Sequence, residues 1–159
     1  MDNIDIGILS ELKKNGRASA SEISRKVSLS IPAVAERIRK LEQSGIIEQY
    51  TIKVSRSKTG NRLLAFIFVN INKNENIDNF RNIIVKHSCV LECHHVAGEY
   101  DYLLKVVLED TEALEYFLTS ILKKIKGVDS SNTIISLTTL KEELNLSTVR
   151  SCSYDAKRS

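Results

Sequence analysis

The sequence predicts an α+β chain, with an N-terminal winged helix-turn-helix followed by a C-terminal βαββαβ, ferredoxin-like unit. Three observations predict it. Residues 16–50, GRASASEISRKVSLSIPAVAERIRKLEQSGIIEQY, hold two short amphipathic segments either side of a Ser-Leu-Ser turn, the second loaded with cations. From residue 63 onward, strand-length apolar runs and helix-period runs follow one another in the order βαββαβ. Between the halves, Ser55 to Asn61 has no apolar side chain to bury and reads as a hinge. The expected divisions are therefore 1–54, a helix-turn-helix domain; 55–61, the hinge; 62–140, the βαββαβ domain; and 141–159, a tail.

Each N-terminal element has its own signals. Asp2 caps a first helix, acidic Asp5 lies in its first turn, Ile4, Ile8 and Leu12 share one face, and Asn15-Gly16 ends it. Ser19 caps a second helix whose buried face is Ala20, Ile23 and Val27, and Ser28 to Ser30 makes the turn. Ser30 caps the third helix, where Pro32 in the first turn forgoes an N–H that would bond nothing. At about 100° per residue, Val34, Ile38 and Leu41 fall on the buried stripe. Ala33, Glu36, Arg37 and Lys40 then share an arc expected to face outward, with Arg39 on the far flank. Gly45 stops the helix, and Ile46 to Val54 alternates well enough for a strand or two-stranded wing.

In the second half, Leu63–Ile71 is an apolar strand, and Ile77, Phe80, Ile83 and Ile84 mark a helix ending near His87. Strands are expected over Cys89–Val96 and Tyr100–Leu108. Asp110 or Thr111 caps a helix with Leu114, Phe117, Leu118, Ile121, Leu122 and Ile125 on one face, Gly127 ends it, and Val128–Leu137 is the last strand. Two helices on one side of a four-stranded antiparallel sheet leave the other side uncovered, so a dimer is expected. The tail, Asn145 to Ser159, lacks periodicity and is expected to be frayed.

Composition excludes several classes. The longest apolar run, Leu63 to Val69, is strand length and far short of a membrane span. The start, MDNIDIGILSEL, has two early acids and no basic n-region, unlike a signal peptide. Three cysteines, at 89, 93 and 152, are too few and odd for a disulfide framework, and point to a reducing cytoplasm. The net charge of +3 is unevenly spread: residues 1–60 carry 11 Lys/Arg against 7 Asp/Glu, whereas the rest carry 12 against 13. The positive excess sits with the helix pair, as contact with a polyanion by one half requires.

If the third helix enters a major groove by its N-terminal end, Ser30, Ile31, Pro32 and Ala33 bring backbone close to base edges. Glu36, Arg37 and Lys40 then lie within reach of bases or phosphates of double-stranded DNA. A solvated basic face on an ordinary three-helix bundle accounts for the same spacing.

The motifs IDIGILSELKKNGRAS, LSIPAVAERIRKLEQSGIIEQYT, ECHHVAGEYDYLLKV and KKIKGVDSSNT occur in this order. Over roughly residues 2–140 the chain thereby resembles the leucine-responsive regulator/asparagine-synthesis regulator (Lrp/AsnC) family of transcription factors. The resemblance implies a RAM-type second domain for assembly and amino-acid sensing, and homodimers commonly assembled to octamers. It also implies effector sites near the loop between the second and third strands. On that basis Gly98, Glu99, Tyr100 and Asp101 are the candidate effector-binding residues, with Asp101 facing an α-ammonium and Ser131 and Thr133 adding hydroxyls. A plain hairpin turn is the other reading of the loop, and Glu99 stands where many relatives carry Asp.

Cys89, Cys93, His94 and His95 have the chemistry of zinc ligands but not the placement. Residues 89 and 93 of an extended strand lie roughly 13 Å apart, and His94 and His95 point to opposite faces. No metal and no cofactor is expected. No phosphate loop or nucleophile elbow occurs. Two alternatives to an amino-acid-responsive regulator stay open: an enzyme resembling sirohaem decarboxylases, using His94, His95 and Arg81, and an architectural DNA binder without a ligand.

Overall fold

Asp2 starts the first helix by accepting hydrogen bonds from the Ile4 and Asp5 N–H groups at 2.9 and 2.8 Å, while Asp5 Oδ2 accepts from the Asp2 N–H at 2.9 Å. Each cap satisfies a donor that the helix itself leaves without a partner. In the computed structural model, which describes residues 1–145, this helix is α1, Asn3–Lys14. Ser19 and Glu22 repeat the reciprocal cap at α2, Ala20–Val27, and Ser30 caps α3, Ile31–Gln43, through the Ala33 N–H. The apolar stripes meet in a small core of Ile8, Ile23, Val34 and Leu41, ringed by Ile4, Leu12, Val27, Leu29, Ile38 and Ile47. Each side chain fully buried there contributes about 1.5–3 kcal/mol. Ser28 takes the left-handed conformation, φ 55°, between α2 and α3, and this sets the turn of the helix pair.

The expected wing is corrected. Residues 46–56 form no strand, because a strand exists only as half of a hydrogen-bonded ladder and no described residue pairs with this stretch. Side chains anchor it instead: Tyr50 Oη donates to Glu42 Oε1 at 2.9 Å, and Lys53 Nζ donates to the Glu142 carbonyl. Within the expected hinge, residues 57–59 form a 3-10 turn, where the Thr59 hydroxyl donates to the Ser55 and Arg56 carbonyls at 3.1 Å.

The described residues divide into two compact units, Met1–Lys53 with residues 142–145, and Val54–Lys141. The second unit holds β1 (Leu63–Ile71), α4 (Ile77–Ile84), β2 (Val90–His95), β3 (Tyr102–Leu108), α5 (Thr111–Tyr116) and β4 (Val128–Ile135). The strands make one antiparallel sheet in the order β2-β3-β1-β4. Side chains alternate between its faces. Ala65, Ile67 and Val69 of β1 pair with Val106, Leu104 and Tyr102 of β3, and all six are buried with Phe80, Ile84, Leu114, Phe117 and Leu122. The opposite face carries Phe66, Phe68, Leu103 and Ile134, and among the described residues no helix of this unit packs over it.

The long helix expected after Asp110 is broken into α5, a π turn over Phe117–Ile121 and a 3-10 turn over Leu122–Lys124. The i→i+5 bonding of the π turn sets Phe117 and Leu122 over the same core, and the Thr119 hydroxyl donates to the Glu115 carbonyl at 2.8 Å. The tail expected to be frayed lies, from residue 146, outside the described residues.

Gly127 closes the unit where the chain enters β4. Its φ is +99°, and a Cβ added there would lie 2.3 Å from Asn76 Cβ. Asn76 is itself buried, donating to the Asn72 carbonyl at 3.0 Å, while the Asn72 N–H donates to the Gly127 carbonyl at 2.8 Å. Gly127→Ala is expected to cost about 2–4 kcal/mol through the left-handed backbone and the clash together, read as a lowered midpoint in urea unfolding.

Candidate functional site

All three basic side chains of α3 have carboxylate partners. The Arg37 guanidinium donates to Asp2 Oδ2 at 2.8 Å and to Asp5 Oδ1 at 2.7 Å, across 35 and 32 residues of chain. Arg39 grips Glu36 with both arms of its fork, Nε to Oε2 at 2.9 Å and Nη2 to Oε1 at 2.6 Å. Lys40 Nζ stands 3.8 Å from the same carboxylate. The expected outward arc is thus corrected at Arg37, which is only half-exposed and turns back to α1. Ser30, Ile31, Pro32, Glu36 and Lys40 are exposed, while Ala33 is half-buried. Arg39, which helical projection sets on a flank, shares the exposed Glu36–Lys40 face. Its signal was the three-residue spacing from Glu36. Asp2 and Asp5 had no such signal, because their partner is remote in sequence.

The pairs move the titrations in step. Hydrogen bonds from the Asp5 N–H and then from Arg37 hold the Asp2 carboxyl below its ordinary 3.8, and the Arg39 guanidinium does the same for Glu36. In return, Asp5 and Asp2 raise the Arg37 pKa, and Glu36 raises that of Arg39.

At the end of the sheet, Gly98 and Glu99 are exposed and Tyr100 packs on Phe68 with ring centres 5.2 Å apart. Asp101 Oδ2 accepts the Ile71 N–H at 2.7 Å, and the Asp101 N–H is shared between the Val69 carbonyl and Asn70 Oδ1, both at 3.1 Å. The carboxylate expected to face a ligand's ammonium therefore already ties the loop to β1. Asn70, which no motif singled out, also donates to Ser130 Oγ at 3.3 Å. This joins β1, the loop and β4 in one polar patch. Ser131 and Thr133 oppose Val69 and Ile67 in the register, so both are half-buried on the helix-covered face. Thr133 lies about 6.6 Å further along β4 than Ser131.

The cysteine and histidine set is dispersed. Cys93 and His95 oppose Leu104 and Tyr102 on the helix-covered face, whereas Glu92 and His94 oppose Lys105 and Leu103 on the open one. There Glu92 pairs with His94 at 3.1 Å and Lys105 at 3.0 Å. His95 stacks on Tyr102, whose hydroxyl accepts from Arg81 at 2.7 Å. Burial pushes both the Cys89 and Cys93 thiols up. Among the described residues, no three His, Cys, Asp or Glu side chains gather as metal ligands, and no helix is long and apolar enough to cross a membrane.

Residues 1–48 match the winged helix-turn-helix DNA-binding family, and residues 64–146 match the Lrp/AsnC ligand binding domain. The chain belongs to the Lrp/AsnC family. It is 34% identical to the leucine-responsive regulatory protein of Escherichia coli over 148 residues, 92% of this chain and 90% of that one. With the Bacillus subtilis HTH-type transcriptional regulator LrpC it shares 39% over 118 residues, 74% of this chain and 81% of that one. Its fold superposes with a TM-score of 0.89 on the Neisseria meningitidis transcriptional regulator NMB0573 in complex with L-Met, at 33% identity, covering 92% of this chain and 96% of the other. This Lrp/AsnC chain is a DNA-binding transcriptional regulator.

The Asp2 pairing yields a pH prediction. A carboxyl whose folded pKa is depressed contributes stability above its ordinary value, and that contribution is lost as pH falls through the folded value. Asp2→Asn keeps a helix cap but not the ion pair with Arg37. The variant is expected to melt below the wild type at pH 7, with the gap closing as pH drops below 3.8. Melting curves across that range are the check.

Proposed function

We propose that this regulator is an amino-acid-responsive, cytoplasmic DNA binder that acts as a homo-oligomer and not as an enzyme. The observation that carries the reading is the union in one chain of a capped, exposed α3 with a ligand-binding domain of the Lrp/AsnC type. Ser30, Ile31, Pro32, Glu36, Arg39 and Lys40 form the groove-facing side. Ala33 lets the helix approach closely, and Arg37 positions α3 rather than contacting bases. Gly98, Glu99 and Tyr100 form the ligand-facing loop, with Asp101 and Asn70 holding its shape, whereas Ser131 and Thr133 lie on the helix-covered face, away from Phe68 and Tyr100, and are not assigned to the ligand. The Neisseria relative seen with L-Met supports an amino acid as the effector class.

A tetrapyrrole enzyme would need His94, His95 and Arg81 around one ligand. In this sheet His94 is on the open face, while His95 and Arg81 both meet Tyr102 on the other. That division favours the regulator.

Selection of duplexes from a randomised pool, followed by titration of the enriched sequence with each of the common L-amino acids, tests the assignment. One enriched sequence, and an affinity that shifts with one or a few amino acids, is expected. Binding that no amino acid alters would leave an architectural regulator. Glu99→Gln should change the concentration of amino acid that gives half the shift while leaving the melting temperature unchanged.

The uncovered sheet face is proposed to seat a second copy of this chain. Ile134 is 51% exposed there, opposite Phe66 in the register. Ile134→Glu places a charge in that apolar surface and should lower the mass measured by light scattering to that of a single chain. An unchanged mass would move the assembly contact elsewhere.

A further inference from the structure

A recognition helix ordinarily offers its cations to DNA, yet in this one each is matched by an acid. Arg37 is held by Asp2 and Asp5, away from the exposed face. Arg39 and Lys40 converge on Glu36, and all three side chains are solvent-exposed. The face therefore presents two positive charges and one negative charge, with both cations drawn to the same carboxylate.

On this basis, and given the DNA-binding role of α3, we propose that Glu36 is a specificity-determining residue that acts by restraint. For Arg39 to reach a phosphate it must leave its two-armed grip, and the carboxylate released is then brought close to a polyanion. On a duplex of arbitrary sequence nothing offsets that loss. Where a base edge presents an amino group, such as cytosine N4, the carboxylate accepts from it and the guanidinium is freed. Glu36 thus lowers affinity for all duplexes and restores part of it only at matching sequences. The pair itself is a weak surface contact, so it opens readily, and the restraint comes from the charge.

Glu36→Gln in the full chain removes the charge and keeps the side-chain length. Affinity for a mixed-sequence duplex is measured against salt, for wild type and variant, with circular dichroism to verify the helices. Each newly neutralised phosphate steepens the log–log slope by about 0.9. With one or two such contacts, the variant should lose a further factor of about 3 to 12 in affinity between about 50 and 200 mM salt. It should also bind mixed sequence more tightly than wild type at low salt, and prefer the selected duplex by a smaller ratio. Adding Arg39→Gln should bring the slope back towards that of wild type. Coincident slopes for wild type and Glu36→Gln would overturn the proposal alone, as would selective loss of the preferred duplex with mixed-sequence binding unchanged. Wild-type protein that binds no duplex would overturn the DNA-binding reading, and the proposal with it.

Discussion

The contact of the Arg37 guanidinium with Asp2 and Asp5, at 2.8 and 2.7 Å, constrains the whole N-terminal unit. The two carboxylates belong to the cap and first turn of α1, so the arginine joins the face of one helix to the start of another. A guanidinium has rigid, directed donors, and satisfying two acceptors at once fixes direction as well as distance. The small core of Ile8, Ile23, Val34 and Leu41 supplies the burial, but apolar contact is non-directional. The apolar stripe of Val34, Ile38 and Leu41 sets the inward side of α3, and the ion pairs tie its Arg37 flank to the start of α1. Once Arg37 points to α1, Glu36, Arg39 and Lys40 are left as the charged part of the exposed face.

The second unit is governed by a different constraint, the alternation of a sheet that has helices on one side only. Ala65, Ile67 and Val69 face the helices, while Phe66 and Phe68 face away. Every residue paired with them inherits the same side. This alternation separates Cys93 and His95 from Glu92 and His94, setting the two pairs on opposite faces of the sheet. It also places Ser131 and Thr133 on the covered side, so their hydroxyls are half-buried. At the sheet's end, Asn70 and Asp101 hold the loop after β2 to β1 through backbone groups, a purpose for which short polar side chains suit better than long ones.

The sequence by itself determined the elements and their class. Caps at Asp2, Ser19, Ser30 and Asp110 are local, since each side chain bonds a backbone group within three residues, and so they were legible. Helical and strand periodicity in the apolar residues likewise needs no more than a short window, and it located both cores. Tertiary structure alone decided which distant charges meet. Arg37 and Asp2 are 35 residues apart in the chain, and helical projection, which cannot weigh a distant partner, assigns the arginine to solvent. It also decided that residues 46–56 form no strand, because pairing depends on a neighbour and not on alternation. Local rules record what a residue can do, whereas a long-range contact depends on what the fold brings beside it.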